Sequence, residues 1–263
     1  MRCAHGQQLS ISRSGRSARR IEGYSSPISA ASGDVLPMSV IFTIPLWADL
    51  LAIGIGSLQG ALFAGQFRDR RLDLLGVAII GIATGFGGGI IRDVLLGQVP
   101  AALESNWYLP TATAAALVGM LLERLFSRLR HLITGLDALT IGLFGAIGTT
   151  KALALGLPEI PAIFLGVISA VGGSILRDLL LNVPIALMSV GSLYAVAALV
   201  GTTSLVVFVS LGAPIALAAS VCVVLTFTVR VLAVLFKWTL PEQIAIRRRS
   251  RPIAPGTGNI PRP

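Results

Sequence analysis

Apolar residues run in long blocks along this chain, and polar residues collect between the blocks. Apolar stretches near 46–66, 74–97, 108–124, 135–157, 161–180, 184–211 and 213–237 each approach the length of about 20 residues that a helix needs to cross a bilayer core. Strict alternation of apolar and polar positions, which a membrane β-barrel would need, is missing from them. The pattern predicts an all-α integral membrane protein of seven transmembrane helices. What lies between the spans is too short for a soluble catalytic domain.

Composition agrees: 54% of residues are hydrophobic and 13% charged, against about 25% charged in soluble domains. The net charge of +9 does not form a nucleic-acid footprint, because the basic residues sit in the tails and in two loops. Arg68, Arg70 and Arg71 follow the first span, Arg124, Arg128 and Arg130 the third, and Lys237, Arg247, Arg248, Arg249 and Arg251 the seventh. The opposite connections, 98–108, 156–161 and around 212, carry no Lys or Arg. By the positive-inside rule the N-terminus lies outside and the C-terminus in the cytoplasm. Trp47, Trp107, Tyr108 and Trp238 then fall at span ends as interfacial anchors. Residues 1–45 read as a disordered basic tail, either a regulatory arm or the product of a true start at Met38. Cys3 and Cys222 support neither a disulfide framework nor a metal site, and His5 and His131 belong to no catalytic constellation. An enzyme is not expected.

A repeat organises the spans. Gly87-Gly88-Gly89-Ile90-Ile91-Arg92-Asp93 recurs as Gly172-Gly173-Ser174-Ile175-Leu176-Arg177-Asp178, and each run is followed by a Val-Pro pair, Val99-Pro100 and Val183-Pro184. Asp49 near the start of the first span matches Asp137 near the start of the fourth. Three spans per unit is an odd number, so the second copy enters the membrane from the opposite side, as in inverted-repeat transport proteins. The expected division is a tail 1–45, a first three-helix repeat 46–130, a second, inverted repeat 131–211, a seventh helix 212–240 for packing or oligomer contact, and a basic tail 241–263.

Glycine crowds the second span at Gly81, Gly85, Gly87, Gly88 and Gly89 and the fifth at Gly172 and Gly173, with Ser174 adding a hydroxyl. Each helix-interior glycine costs about 1 kcal/mol relative to alanine. Close packing of small residues would explain such runs, as would broken helices facing a water-filled cavity. The charged residues that follow favour the break, since a charge at mid-membrane costs about 2.5 to 3.5 kcal/mol and needs partners. Adjacent helical positions point about 100° apart, so Arg92 and Asp93 are expected to make a poor mutual pair, as are Arg177 and Asp178. On this reading each break starts a second half-helix with Asp93 or Asp178 in its first turn, and the arginines donate to freed carbonyls or to the acid of the opposite repeat. Lys151 either snorkels to the outer headgroups or enters the polar pathway. Asp49 and Asp137 read as interfacial acids, and Arg230 as a base snorkelling to the cytoplasmic surface.

The doubled Gly-Gly-x-x-x-Arg-Asp and the Lys151-Ala152-Leu153 run resemble the bacterial branch of the trimeric intracellular cation (TRIC) channel family, also labelled glycine-transporter-domain membrane proteins. The likeness covers roughly residues 46–240. It implies a homotrimer in the bacterial inner membrane, each protomer having its own potassium pore lined by glycine-kinked helices two and five. Carried over residue by residue, it reaches Gly87, Gly88, Gly89, Arg92, Asp93, Gly172, Gly173, Arg177, Asp178 and Lys151, to which the glycine-break reading adds Gly85 and Ser174. Ser174 replaces a glycine often found there, and the long N-terminal tail is not a family feature. No cofactor is expected beyond bound lipid and the permeant potassium. Two function classes survive: a passive monovalent-cation channel, and a secondary transporter of a small zwitterion such as glycine. A membrane scaffold would leave the doubled polar motif unexplained.

Overall fold

The computed structural model describes residues 44–67, 72–125, 130–188 and 193–238. Arg68, Arg70, Arg71, Arg128, Met38 and the Arg247 to Arg251 cluster, on which the reading of the tails and of orientation leaned, lie outside those residues. Among the described residues there are eight α-helices and no strand: α1 Leu46–Gly65, α2 Leu74–Leu95, a short α3 Ala101–Glu104, α4 Tyr108–Leu125, α5 Arg130–Ala154, α6 Glu159–Leu180, α7 Tyr194–Ser210 and α8 Ile215–Leu235. A 3₁₀ turn, Ala186–Met188, precedes α7.

Five of these, α1, α2, α5, α6 and α8, are long and apolar enough to cross a membrane. Helix α7 is apolar but 17 residues long. Helix α4 has 18 residues but carries Thr111, Thr113, Glu123 and Arg124. The apolar stretch expected to span from 184 enters its helix only at Tyr194, because residues around Ala186 form a separate connecting turn. Apolar composition reads the same in a buried connection as in a span.

Local signals explain the helix ends. Asp73 caps α2, accepting from Gly76 N at 2.7 Å. Pro45, Pro158 and Pro214 stand at the N-caps of α1, α6 and α8, where the missing N–H costs nothing. Just past α2 and α6, Gly97 (φ 65°) and Asn182 (φ 47°) turn the chain through the left-handed region.

The glycine runs do not break their helices. Helix α2 continues from Leu74 to Leu95 through Gly81, Gly85 and Gly87 to Gly89, and α6 from Glu159 to Leu180 through Gly172 and Gly173. Their physical reason is contact between helices. A Cβ on Gly87 would lie 3.1 Å from Gly173 Cα, and one on Gly172 3.2 Å from Gly88 Cα. A Cβ on Gly88 would collide with the Ser169 carbonyl oxygen, and one on Gly173 with that of Thr84. The hydrogens that glycine carries there point at those oxygens, a weak Cα–H···O geometry that recurs where helices meet closely. Gly85 serves a different contact: its Cβ would meet Ser57 Oγ and Ile53 O of α1. Ser174 Oγ donates back to Val171 O at 2.9 Å.

Helices α1, α2 and α4 pack on one another, as do α5, α6 and α7, with α8 against α5 and α7, and α2–α6 and α1–α5 contacts join the sets. Small residues make this possible: Ala52, Ala61, Ala112, Ala116, Ala152 and Ala162 are fully buried. Gly88 and Gly89 should therefore respond differently to alanine. Gly88→Ala should destabilise by about 1 to 3 kcal/mol through overpacking. Gly89, whose nearest neighbour would be Arg92 Nη2 at 3.8 Å, should tolerate alanine or gain up to about 1 kcal/mol from helix propensity. Thermal unfolding in detergent checks this; equal losses at both positions would contradict the packing account.

Candidate functional site

Asp93 ends α2, and its carboxylate gathers partners from three directions. Arg92 Nε donates to Asp93 Oδ1 at 2.8 Å and Nη2 to Oδ2 at 3.1 Å. The backbone N–H of Ala101, at the start of α3, donates to Oδ2 at 2.9 Å. Lys151 Nζ, near the end of α5, donates to Oδ1 at 2.8 Å. Arg92 Nη1 faces Asp49 Oδ1 of α1 at 3.9 Å, and Asp49 accepts from the Tyr108 hydroxyl at 2.9 Å. Arg92, Asp93 and Asp49 are all buried, while the Lys151 side chain is 24% exposed. Two carboxylates thus meet one guanidinium and one ammonium.

A second cluster repeats the arrangement. Arg177 Nε and Nη2 donate to Asp178 Oδ1 at 2.9 and 2.8 Å, and Ala186 N donates to Asp178 Oδ2 at 2.8 Å. Arg177 Nη1 donates to Asp137 Oδ1 at 3.4 Å. Tyr194, at the start of α7, is buried beside this cluster. The remaining partners differ from those of the first cluster. Gln59 Nε2 of α1 reaches Asp137 Oδ1 at 3.3 Å, and Arg230 Nη2 of α8 lies 3.6 Å from Asp137 Oδ2. The Arg177 guanidinium sits 3.9 Å above the Phe63 ring, and that of Arg230 3.8 Å above the Tyr194 ring, favourable cation–π positions.

The two clusters lie at opposite ends of the bundle. Asp137 lies about two turns into α5 and Lys151 in its last turn, a separation of roughly 20 Å at 1.5 Å per residue. Between them stands the α2–α6 crossing at Gly87, Gly88, Gly172 and Gly173. Gly89 and Ser174 lie one step beyond it toward the arginines, and Gly85 belongs to the α1 contact.

Several expectations are corrected. Arg92 and Arg177 pair with the aspartate next to them, because a guanidinium on a long stem curls across the angle that separates adjacent Cβ atoms. They do not use freed carbonyls, since the unbroken helices free none, nor the acid of the opposite repeat. Asp93 and Asp178 stand in the last turn of their helices, not in a first turn, and each reaches forward to bind the N–H eight residues on. Lys151 enters a polar cluster. Asp49 and Asp137 are buried members of the clusters and not merely interfacial. Arg230 is buried against Asp137 and Tyr194 instead of snorkelling, and Tyr108 is a buried donor instead of an interfacial anchor.

Gln59, Phe63 and Tyr194 were not anticipated at all. Tyr194 was legible: it follows the second motif as Tyr108 follows the first. The clusters share no residue, so Arg92→Ala and Arg177→Ala should each destabilise the bundle by about 3 to 5 kcal/mol, the usual cost of stranding a buried charge. Their effects should add within about 0.5 kcal/mol. Denaturation of both single variants and the double variant checks this, and strong coupling would contradict two separate clusters.

Comparison with known proteins places this architecture. The family described as glycine transporter matches the chain twice, over residues 46–124 and 134–210. A UPF0126 membrane protein of Deinococcus radiodurans is 36% identical over 157 residues, which cover 59% of this chain and 72% of that protein. The UPF0126 inner membrane protein YadS of Escherichia coli K12 is 30% identical over 199 residues, covering 74% of this chain and 94% of that one. A solved TRIC trimeric intracellular cation channel orthologue from Rhodobacter sphaeroides superposes with a TM-score of 0.67 at 30% identity, over 73% of this chain and 97% of its own. A second structure, described as a basis for conductance through TRIC cation channels, gives 0.67 at 32% identity over 76% and 98%. Matched in both of its halves, with the TRIC channel fold, the chain belongs to the glycine-transporter family of UPF0126 membrane proteins.

Proposed function

We propose that this protein is a cation channel of the bacterial inner membrane, passing monovalent cations, potassium foremost. Its likeness over most of its length to solved TRIC cation channels carries the reading. In this reading seven helices of 17 to 25 residues, all but α3, span the bilayer as two inverted three-helix repeats plus α8. Two separate matches to one family support the repeat. The protein works as a homotrimer with its N-terminus outside and its C-terminus in the cytoplasm.

The path runs in each protomer along α2 and α6, past Gly87, Gly88, Gly172 and Gly173, with Arg92, Asp93 and Lys151 at one end and Arg177 and Asp178 at the other. Buried arginines would ordinarily repel a cation, but each of these faces two carboxylates, and each cluster is neutral in sum. That removes the chief electrostatic objection to cation passage. At the crossing the two backbones are in contact, so conduction requires α2 and α6 to part there. A zwitterion transporter would want an arginine free to hold a substrate carboxylate and a half-helix N-terminus beside it. Arg92 and Arg177 are engaged by Asp93 and Asp178, and α2 and α6 are unbroken, which favours the channel.

Purified protein in liposomes should pass potassium down its gradient and show no counterflow of labelled glycine. Glycine counterflow without potassium conductance would reverse the assignment.

A further inference from the structure

Helix α8 lies outside both family-matched segments, yet it enters the second polar cluster. We propose that Arg230 of α8 is a positioning residue for that cluster, supplying the fourth charge that Lys151 supplies to the first and so coupling α8 to conduction.

The two clusters draw their fourth charge from different helices. Phe63 stands fourteen residues after Asp49, as Lys151 stands fourteen after Asp137. The position on α5 that gives a cation to Asp93 therefore corresponds, on α1, to a phenyl ring lying 3.9 Å below the Arg177 guanidinium. With Asp137, Asp178 and Arg177 alone, the second cluster would hold two carboxylates against one guanidinium. Arg230 completes it: its side chain is 7% exposed, its Nη2 is 3.6 Å from Asp137 Oδ2, and its guanidinium stacks on the buried Tyr194 ring. Asp137 in turn orients Arg177 through Nη1. A base on a helix outside the repeat thus holds the acid that holds the motif arginine. Helix α8 packs against α5 and α7, so any shift of α8 reaches Asp137 directly.

The inference deepens the channel reading through its flux measurement and stands apart from it through stability. Potassium flux in liposomes and melting temperature in detergent are measured for the wild type, Arg230→Met, Arg230→Lys, Arg230→Met/Asp137→Asn and Arg230→Met/Phe63→Lys. Arg230→Met strands a buried carboxylate and should cut flux by about tenfold or more while lowering the melting temperature. Arg230→Lys should keep part of both. The two double variants should return flux to within about threefold of wild type, one by removing the surplus acid and the other by moving the cation to the position that mirrors Lys151. Helix packing alone would not be rescued from α1 or α5. Wild-type behaviour of Arg230→Met in both measurements, or double variants no better than the single one, overturns the inference. Should Arg230→Met fail to assemble, recovery of assembly in either double variant supports the inference, and failure of both overturns it. A wild type that passes no cation defeats the channel reading, and the melting temperatures of the same set then decide the role of Arg230.

Discussion

Charged side chains inside an apolar helical bundle must find opposite charges, and the organisation of this protein follows from that constraint. A lone ion at mid-membrane costs about 2.5 to 3.5 kcal/mol even on lenient scales. Asp49, Arg92, Asp93 and Asp137, Arg177, Asp178 are all buried, and each trio carries one surplus negative charge until Lys151 or Arg230 joins it. The acids also do structural work. Asp93 binds the N–H of Ala101 and Asp178 that of Ala186, so each ties the end of its helix to the start of the next connection. Helix α5 contributes to both clusters, Asp137 from its first half and Lys151 from its last turn, and in this way links the two.

Between the clusters the chain solves a different problem. Helices α2 and α6 approach until the hydrogens of Gly88 and Gly173 meet the carbonyls of Ser169 and Thr84. Any side chain at those two positions would push the helices apart. The contact is symmetric in its partners while its surroundings are not, since Lys151 and Phe63 occupy matching positions on α5 and α1. A pair of helices held there by dispersion and weak Cα–H···O contacts is well suited to separate and close again.

Much of this was legible in the residues before any coordinate. The apolar blocks located the long helices, and the doubled motif with its Val-Pro echoes foretold matching sites in the two halves. What the glycines do was not legible, because a glycine run suits a broken helix and a tight crossing equally well, and only the position of the facing helix decides. The pairing of Arg92 with Asp93 was missed because helical-wheel geometry treats side chains as directions and ignores the reach of a guanidinium. Arg230 was misread for a related reason. Its distance from the helix end suggested snorkelling, and nothing along α8 reveals that Asp137, almost a hundred residues earlier, waits beside it with a surplus charge.

The account turns on whether the α2–α6 crossing is the closed point of the proposed path. A Cβ on Gly87 would lie 3.4 Å from Leu176 Cβ, close to the roughly 3.5 to 4.5 Å that a disulfide spans. The direct measurement is potassium flux through Gly87→Cys/Leu176→Cys protein, in a background with Cys3 and Cys222 replaced by alanine, before and after oxidation. The account predicts that the oxidised protein is silent and that reduction restores its flux. Equal flux in the oxidised and reduced states would place the path elsewhere and contradict it.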